Sequence, residues 1–382
     1  MIIREMSKND LTSAACCSVQ AFGGGLSRED CIMPRYKVLC AFADDNETVL
    51  SRIDIIEREC YYNGGTLRSA AVGGVASRLE ARNKGLVRAL FDRFLTAEEY
   101  GHFDISVLNP FSLAYYAKFG YAPLGGNIRL EMPFECLAGI ERCDSVKLCG
   151  FGDEDKIIEL YNRLASRYNF AFIRTETDDF NLMPFMNNKY TYMYDGADGE
   201  GFLSFDFDRQ KSEVTVSEIM FDGKTALTAL LGFLRAFEGN FENLVFQTLP
   251  YSSPVPLLCG DGTKHFRICK RQDSARVMNI KNVLAKHCYP EESGVIIAEF
   301  HNIPAGKCEK IAVEYGGGGC NLSETAAAPD VILTPYGASA LLLGGISKQN
   351  ADYIPGVDIM GRKEEILRVF RPDGNIFFSE KF

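Results

Sequence analysis

Between Val72 and Tyr121 the chain reads as strand, glycine-bearing turn, helix, strand and short helix, an order that calls for a mixed α/β sheet. Val72–Ala76 is small and apolar, as a strand buried against neighbours is. From Gly85 onward, Leu86, Leu90 and Phe94 recur, with Val87, Phe91 and Leu95 beside them. That spacing is one face of an amphipathic helix, ending near Glu99 with Gly101 as its stop. A second strand is broken at Asn109-Pro110, and a short helix carrying Tyr115 and Tyr116 follows.

The first helical turn is expected over Arg82-Asn83-Lys84-Gly85-Leu86-Val87-Arg88. Unpaired backbone N–H groups and the positive end of a helix dipole favour a diphosphate there. Gly85 removes a side chain where phosphate must approach the backbone, and Arg82, Lys84 and Arg88 add attraction. Beside this cradle stands a tyrosine-bearing helix. A thiol titrates at about 8.5 and a phenol at about 10, so a positioned Tyr can protonate a departing thiolate. Together these parts suit a pyrophosphate-bearing thioester and point to an acyl transferase.

The segment resembles motif A of the GNAT acetyltransferases, Arg/Gln-x-x-Gly-x-Gly/Ala, with Val87 in place of the final small residue. R-x-x-G-L-V-R followed by P-F-S-x-x-Y-Y-x-K-F-G-Y resembles more closely the Eis (enhanced intracellular survival) branch, in which a bulkier residue at that place is usual. The resemblance extends over the whole length. It implies acetyl-CoA contacts from Val75, Ala76 and Ser77, from Asn83, Lys84, Gly85, Leu86, Val87 and Arg88, and from Phe111 and Ser112. It implies Tyr116 as the general acid, whereas Tyr115 and Tyr121 are better read as packing aromatics. The histidines, His102, His265, His287 and His301, offer no base in the motif region apart from His102, which heads a strand. In Eis-like proteins the C-terminal carboxylate serves as base, and this chain likewise ends on an aromatic residue, Phe382. Such a carboxyl has a pKa of about 3.5, which desolvation must raise for this work.

Three units are expected. Residues 1–140 form the first, a GNAT domain binding acetyl-CoA. Ser7-x-x-Asp10 opens a helix through Phe22, and Asn63-Gly64-Gly65 signals a hairpin leading to the motif strand. Between them, a loop after Gly23-Gly24-Gly25 carries Arg28, Glu29 and Asp30, of which the two acids are candidates to line an amine site. Residues 141–272 repeat the rhythm and resemble a second GNAT fold whose cofactor motif has decayed. Gly223-Lys224-Thr225 is no P-loop, because its first glycine is replaced by Glu218. Residues 273–382 resemble the sterol-carrier-protein-like α+β domain that ends Eis proteins, and this unit delivers the C-terminus. Gly316–Gly319 is expected as a hairpin turn, since it has neither basic neighbours nor a following helix.

Composition sets the remaining bounds. At 382 residues, with 46% hydrophobic and 24% charged, the chain has room for two or three globular domains. A net charge of −10 argues against nucleic-acid binding and suits a cationic substrate. No apolar run nears the roughly 20 residues that span a bilayer, and Met1–Glu5 lacks a signal-peptide layout, so a cytoplasmic location is expected. The 13 cysteines show no Cys-x-x-Cys and no zinc spacing, so Cys16, Cys17, Cys136, Cys143 and Cys149 are read as reduced thiols and no metal is assigned. The resemblance implies aminoglycosides, polyamines or lysine side chains as acceptors and a homohexamer. Rival classes are a non-catalytic acyl-CoA-binding regulator and a lipid-binding protein built on the third unit.

Overall fold

The computed structural model describes residues 2–27, 32–150, 152–175, 190–260, 266–271, 273–302, 306–344, 350–370 and 375–380. Arg28, Glu29, Asp30, His265 and Phe382 lie outside the described residues. The first unit runs β1 (Ile2–Glu5), α1 (Leu11–Phe22), β2 (Lys37–Phe42), β3 (Val49–Tyr62), β4 (Gly65–Ser77), α2 (Leu86–Thr96), β5 (Ile105–Leu108), α3 (Leu113–Ala117) and β6 (Ala122–Pro123). Local signals set its corners. Ser7 and Asp10 form the capping box, and Asp10 also pairs with Arg4 at 2.7 Å. Asn63 and Gly64, both left-handed, turn β3 back into β4 with Tyr62 opposite Gly65.

Two expectations about α2 change. The helix begins only at Leu86, so Arg82–Lys84 belong to the turn ahead of it, with Gly85 left-handed at the N-cap. It ends at Thr96, because Ala97 turns extended and a short 3-10 turn, Glu98–Tyr100, follows. The anchor is the buried Tyr100, which packs on Phe94 and donates its hydroxyl to Glu5 at 3.2 Å.

The second unit adds β7 (Asn127–Pro133), β8 (Lys147–Leu148), α4 (Glu154–Ala165), β9 (Tyr168–Asn169), β10 (Tyr190–Gly196), β11 (Gly199–Asp208), β12 (Glu213–Phe221), α5 (Gly223–Leu234), β13 (Asn243–Pro250) and β14 (Arg267–Arg271). The third adds β15 (Ser274–Val277), β16 (Gly294–Asn302), β17 (Lys307–Gly316), β18 (Gly319–Glu324), β19 (Val331–Leu333), β20 (Val357–Ile359) and β21 (Asn375–Ile376), with helices at Ile280–Ala285, Pro335–Leu343 and Lys363–Val369. Gly316 pairs with Gly319 across a two-residue turn, so the glycine run is a hairpin as expected.

The strands assemble into one sheet of order β1-β2-β3-β4-β5-β15-β6, a second of order β14-β7-β13-β12-β11-β10-β8, and a third of order β18-β17-β16-β19-β20. Two strands therefore cross the expected limits at 140 and 272. Asn127–Pro133 pairs with β13 and β14 in the second sheet, and Ser274–Val277 pairs with β5 and β6 in the first. The first and second sheets thus each take in a strand from outside their own unit, whereas the third is built from its own strands. The α2 face of the first sheet buries Leu90, Phe91 and Phe94 against Ile53, Ile55 and Tyr116. On the other side, one continuous cluster joins Tyr62, Ile105 and Val107 to Ile296, Leu333 and Leu342 of the third unit.

The second unit repeats β4–α2–β5 as β12–α5–β13, again with the two strands parallel. One difference matters chemically. Arg78 to Gly85 separates β4 from α2, but only Asp222 separates β12 from α5. That carboxylate, ion-paired with Arg167 at 2.9 Å, stands where a phosphate loop would be needed.

Candidate active site

Strands β4 and β5 run parallel and pair from Ser69–Val72 to Ile105–Leu108. There β5 stops at Asn109-Pro110, while β4 continues to Ser77, paired only with β3. The edge of Gly73–Ser77 therefore opens on a cleft whose other wall is the segment from Asn109 into α3. Ligand sites in α/β sheets favour such carboxyl ends, where strands part and backbone groups are left over.

Within the cleft wall β4 is bulged. Arg52 pairs with Ala76 and Asp54 with Gly73, which leaves Gly74 and Val75 opposite Ile53 alone. Gly74 takes φ +53°, and the Asp54 carboxylate occupies the space where a Cβ would stand. Arg52 donates to Asp54 Oδ1, from Nε at 3.1 Å and also from Nη2. Burial pushes the Asp54 carboxyl above its usual range, although Arg52 opposes the shift. Ser51 ties the strand end by donating to Ala76 O at 2.7 Å and sharing a hydrogen bond with Ser77 at 2.8 Å.

The turn before α2 is open and cationic. Arg82, Lys84 and Arg88 are exposed, and none forms an ion pair or side-chain hydrogen bond with a described residue. The helix N-terminus carries no side-chain cap, and nothing lies within 4 Å of a Cβ built on Gly85. Leu86 is buried in the core, so its side chain cannot face a ligand and only its backbone can contribute. Val75, Val87 and Tyr115 each pack against the same buried cluster, so the strand end, the turn and the tyrosine helix share one core.

On the opposite wall Ser112 caps α3 by accepting from Tyr115 N at 3.3 Å, while Phe111 is 75% exposed. Tyr116 is held by aromatic edges from Phe91, Phe111, Tyr115 and Tyr121, with centroids 5.3–6.2 Å away. Among the described residues its hydroxyl has no hydrogen-bond partner. Tyr121 differs: its hydroxyl shares a 2.7 Å bond with Ser106, which also donates to Ala70 O. Burial pushes both phenols up, so Tyr116 keeps its proton throughout the neutral range.

The described histidines stand elsewhere. His102 precedes the N-terminal end of β5, opposite the cleft, and His287 is locked between Tyr62 and Val369 O at 3.0 Å each. His301 lies on the third sheet, where it comes within 4.8 Å of Glu299 and Cys308. This trio arises from cross-strand pairing, which linear spacing does not reveal. Its carboxylate is already engaged by His301 at 2.7 Å and by Lys310 at 3.3 Å.

Residues 3–124 match a family of acetyltransferase (GNAT) domains, and residues 173–277 match a second family of the same description. The chain is a GNAT acetyltransferase, Eis-like in fold. The acetyltransferase is similar to a probable N-acyltransferase from Enterococcus faecalis V583, a conserved protein of unknown function. That comparison has a TM-score of 0.85 at 16% identity and covers 100% of this chain and 99% of the other. It is also similar to a GCN5-related N-acetyltransferase from Anabaena variabilis ATCC 29413, with TM-score 0.83, 14% identity and 98% and 100% coverage. Eis1 from Mycobacterium abscessus gives TM-score 0.79, 16% identity and full coverage of both chains. No curated protein matches the sequence.

Several residues that shape the acetyltransferase's cleft had no local signal. Asp54 looks like one more acid on a strand until the bulge brings it over Gly74. Asn109, Asn127 and Asp273 meet only once β15 enters the first sheet. Glu380 and Arg174 lie far apart in sequence and meet beside β3.

Proposed function

We propose that the chain is an acetyl-CoA-dependent N-acetyltransferase acting on a primary amine, of the aminoglycoside, polyamine or lysine type, by direct attack and without an acyl-enzyme intermediate. Acetyl-CoA, the general donor of GNAT domains, supplies the acetyl group as a thioester. The edge of Val75–Ser77 lies along the acyl end, and Asn83–Arg88 takes the pyrophosphate through backbone N–H groups and the exposed cations. Phe111 and Ser112 close the far wall.

Tyr116 donates its phenolic proton to the departing sulfur, and the α-carboxylate of Phe382 takes the proton released by the amine. The observation that carries this reading is the Tyr116 hydroxyl at the mouth of the parted strands, which has no hydrogen-bond partner among the described residues, beside a Tyr121 that is bonded to Ser106. Such a proton transfer contributes roughly 10²–10⁴-fold, and fixing the amine against the thioester adds several kcal/mol.

The second unit, 141–272, is read as a degenerate GNAT domain, which the single-residue connection at Asp222 supports. The third, 273–382, is read as the sterol-carrier-protein-like scaffold that carries the C-terminus. A homohexamer is what the Eis resemblance implies, and a cytoplasmic location is read from the sequence's lack of a spanning run or signal-peptide layout. No helix among the described residues is long and apolar enough to cross a membrane.

The test is CoA thiol release from acetyl-CoA by protein untagged at its C-terminus, challenged with aminoglycosides, polyamines and lysine peptides. Turnover that collapses when Phe382 is deleted supports both the reaction and the base. Acetyl-CoA binding with no turnover on any amine would overturn the proposal.

A further inference from the structure

The Glu380 side chain has no exposed surface, and it is held between arginines from two distant parts of the chain. Arg58 of β3 donates from Nη2 to its Oε2 at 3.1 Å, and Arg174 Nε stands 3.5 Å from its Oε1. Arg174 also donates twice to Glu218 of β12, at 3.0 and 2.9 Å, and its guanidinium lies 3.6 Å from the centre of the Tyr161 ring. Among the described residues two positive charges thus meet two negative ones, with Arg58, Arg174 and Glu380 buried and Glu218 partly exposed. Such a group is costly to bury unless its geometry is met, and chain ends ordinarily fray.

The same tail is fastened elsewhere. β21 runs parallel to β9, Phe377 N donates to Asn169 O at 3.0 Å, and Ser379 shares a 2.7 Å hydrogen bond with the Tyr161 hydroxyl. A separate chain of bonds leads from the tail to the cleft. Asn127 brackets Phe378, donating to its carbonyl at 2.7 Å and accepting from its N–H at 3.2 Å. Asn127 also donates to Asp273 at 3.1 Å, and Asp273 accepts from Asn109 at 2.7 Å. Asn109 is the residue at which β5 ends and the cleft opens. A lock serving stability alone has no need of that second connection.

We propose that Glu380, gripped by Arg58 and Arg174, is a positioning residue that seats the chain's last residues at the acyl cleft. The second unit's part in the reaction is then to supply Arg174, Glu218 and Tyr161 to that seat. This rests on the reading of the Phe382 carboxylate as base, which lies two residues beyond the grip.

The experiment compares wild type, Glu380→Gln, Phe382-deleted and doubly altered protein, all untagged at the C-terminus. It measures kcat, KM for acetyl-CoA, and release of the terminal Phe by carboxypeptidase. Glu380→Gln is expected to lower kcat roughly 10–100-fold, since small misplacements of reacting groups cost that much, with KM within about two-fold. It should hasten release of Phe382, and it should cost nothing further once Phe382 is deleted. If deletion slows turnover while Glu380→Gln leaves kcat and release at wild-type values, the seat is refuted and the base stands. If deletion leaves turnover intact, the base falls and takes the catalytic role of the seat with it. Should Glu380→Gln not fold, Tyr161→Phe removes only the bond to Ser379. Faster release with a few-fold lower kcat then supports the seat, and wild-type values for both overturn it.

Discussion

Gly74→Ala tests the bulge on which the cleft depends. The perturbation acts twice. An alanine at φ +53° sits in the left-handed region at a cost of about 1–2 kcal/mol. Its Cβ would also stand 2.5 Å from Asp54 Cγ and 2.9 Å from Oδ1, with Oδ2 closer still, so the whole carboxylate must move. Arg52 binds that same Oδ1, and Asp54 is 7% exposed, so the shift breaks an ion pair that water cannot replace. Breaking a buried pair costs about 3–5 kcal/mol, and partial relaxation at the bulge brings the expected total to about 3–5 kcal/mol. In an Asp54→Ala background the clash is gone, and the same substitution should cost only about 1–2 kcal/mol. Urea unfolding followed by circular dichroism measures all four proteins, since the chain has no Trp. A loss below about 1 kcal/mol for Gly74→Ala, or an equal loss in both backgrounds, would refute the assignment of Asp54 to that space.

The remaining predictions concern the acid, the cradle and the N-terminal corner. Tyr116→Phe should lower kcat by roughly 10²-fold or more with an unchanged unfolding midpoint, because no described hydrogen bond is lost. Tyr121→Phe should do the reverse, costing about 1 kcal/mol through its bond to Ser106 while the rate holds. Because burial raises the Tyr116 phenol, its loss of a proton should not depress kcat below a pH of about 10, as a pH–rate profile will show. Arg88→Gln should raise KM for acetyl-CoA about ten-fold and flatten its salt dependence, with kcat little changed. The Arg4 guanidinium and Ser7 hold the Asp10 carboxyl at about 2, below its usual 3.8. That group therefore stabilises the fold above a pH of about 4, and the stabilisation drains away as pH falls to about 2. Asp10→Asn should cost on the order of 1–2 kcal/mol at neutral pH and almost nothing at pH 2, as read from acid-unfolding midpoints.

What the sequence announced, and what it hid, divides by the range of the interactions concerned. The capping box at Ser7, the Asn63-Gly64 turn and the strand–turn–helix at Val72–Arg88 were legible because each is decided by backbone preferences within a few residues. The tyrosine helix was legible too, yet nothing local separates Tyr116 from Tyr121. The Ser106 hydroxyl, fifteen positions before Tyr121, satisfies one phenol, while the other has no hydrogen-bond partner among the described residues. Strand exchange was invisible for the same reason. Asn127–Pro133 and Ser274–Val277 alternate like any strand, and the sheet each joins is chosen by edges that exist only after collapse.

This has a consequence for function. The first unit does not contain a complete cleft of its own, because β15 completes its sheet and brings Asp273 to Asn109. Arg58 of that unit pairs with Glu380 of the tail, beside an arginine of the second. A fragment ending near residue 140 should therefore keep the phosphate turn but lose the wall at Asn109. Acetyl-CoA binding should outlast acetyl transfer as the chain is shortened from its C-terminus. A fragment of residues 1–140 that turned over at the full-length rate would refute this dependence.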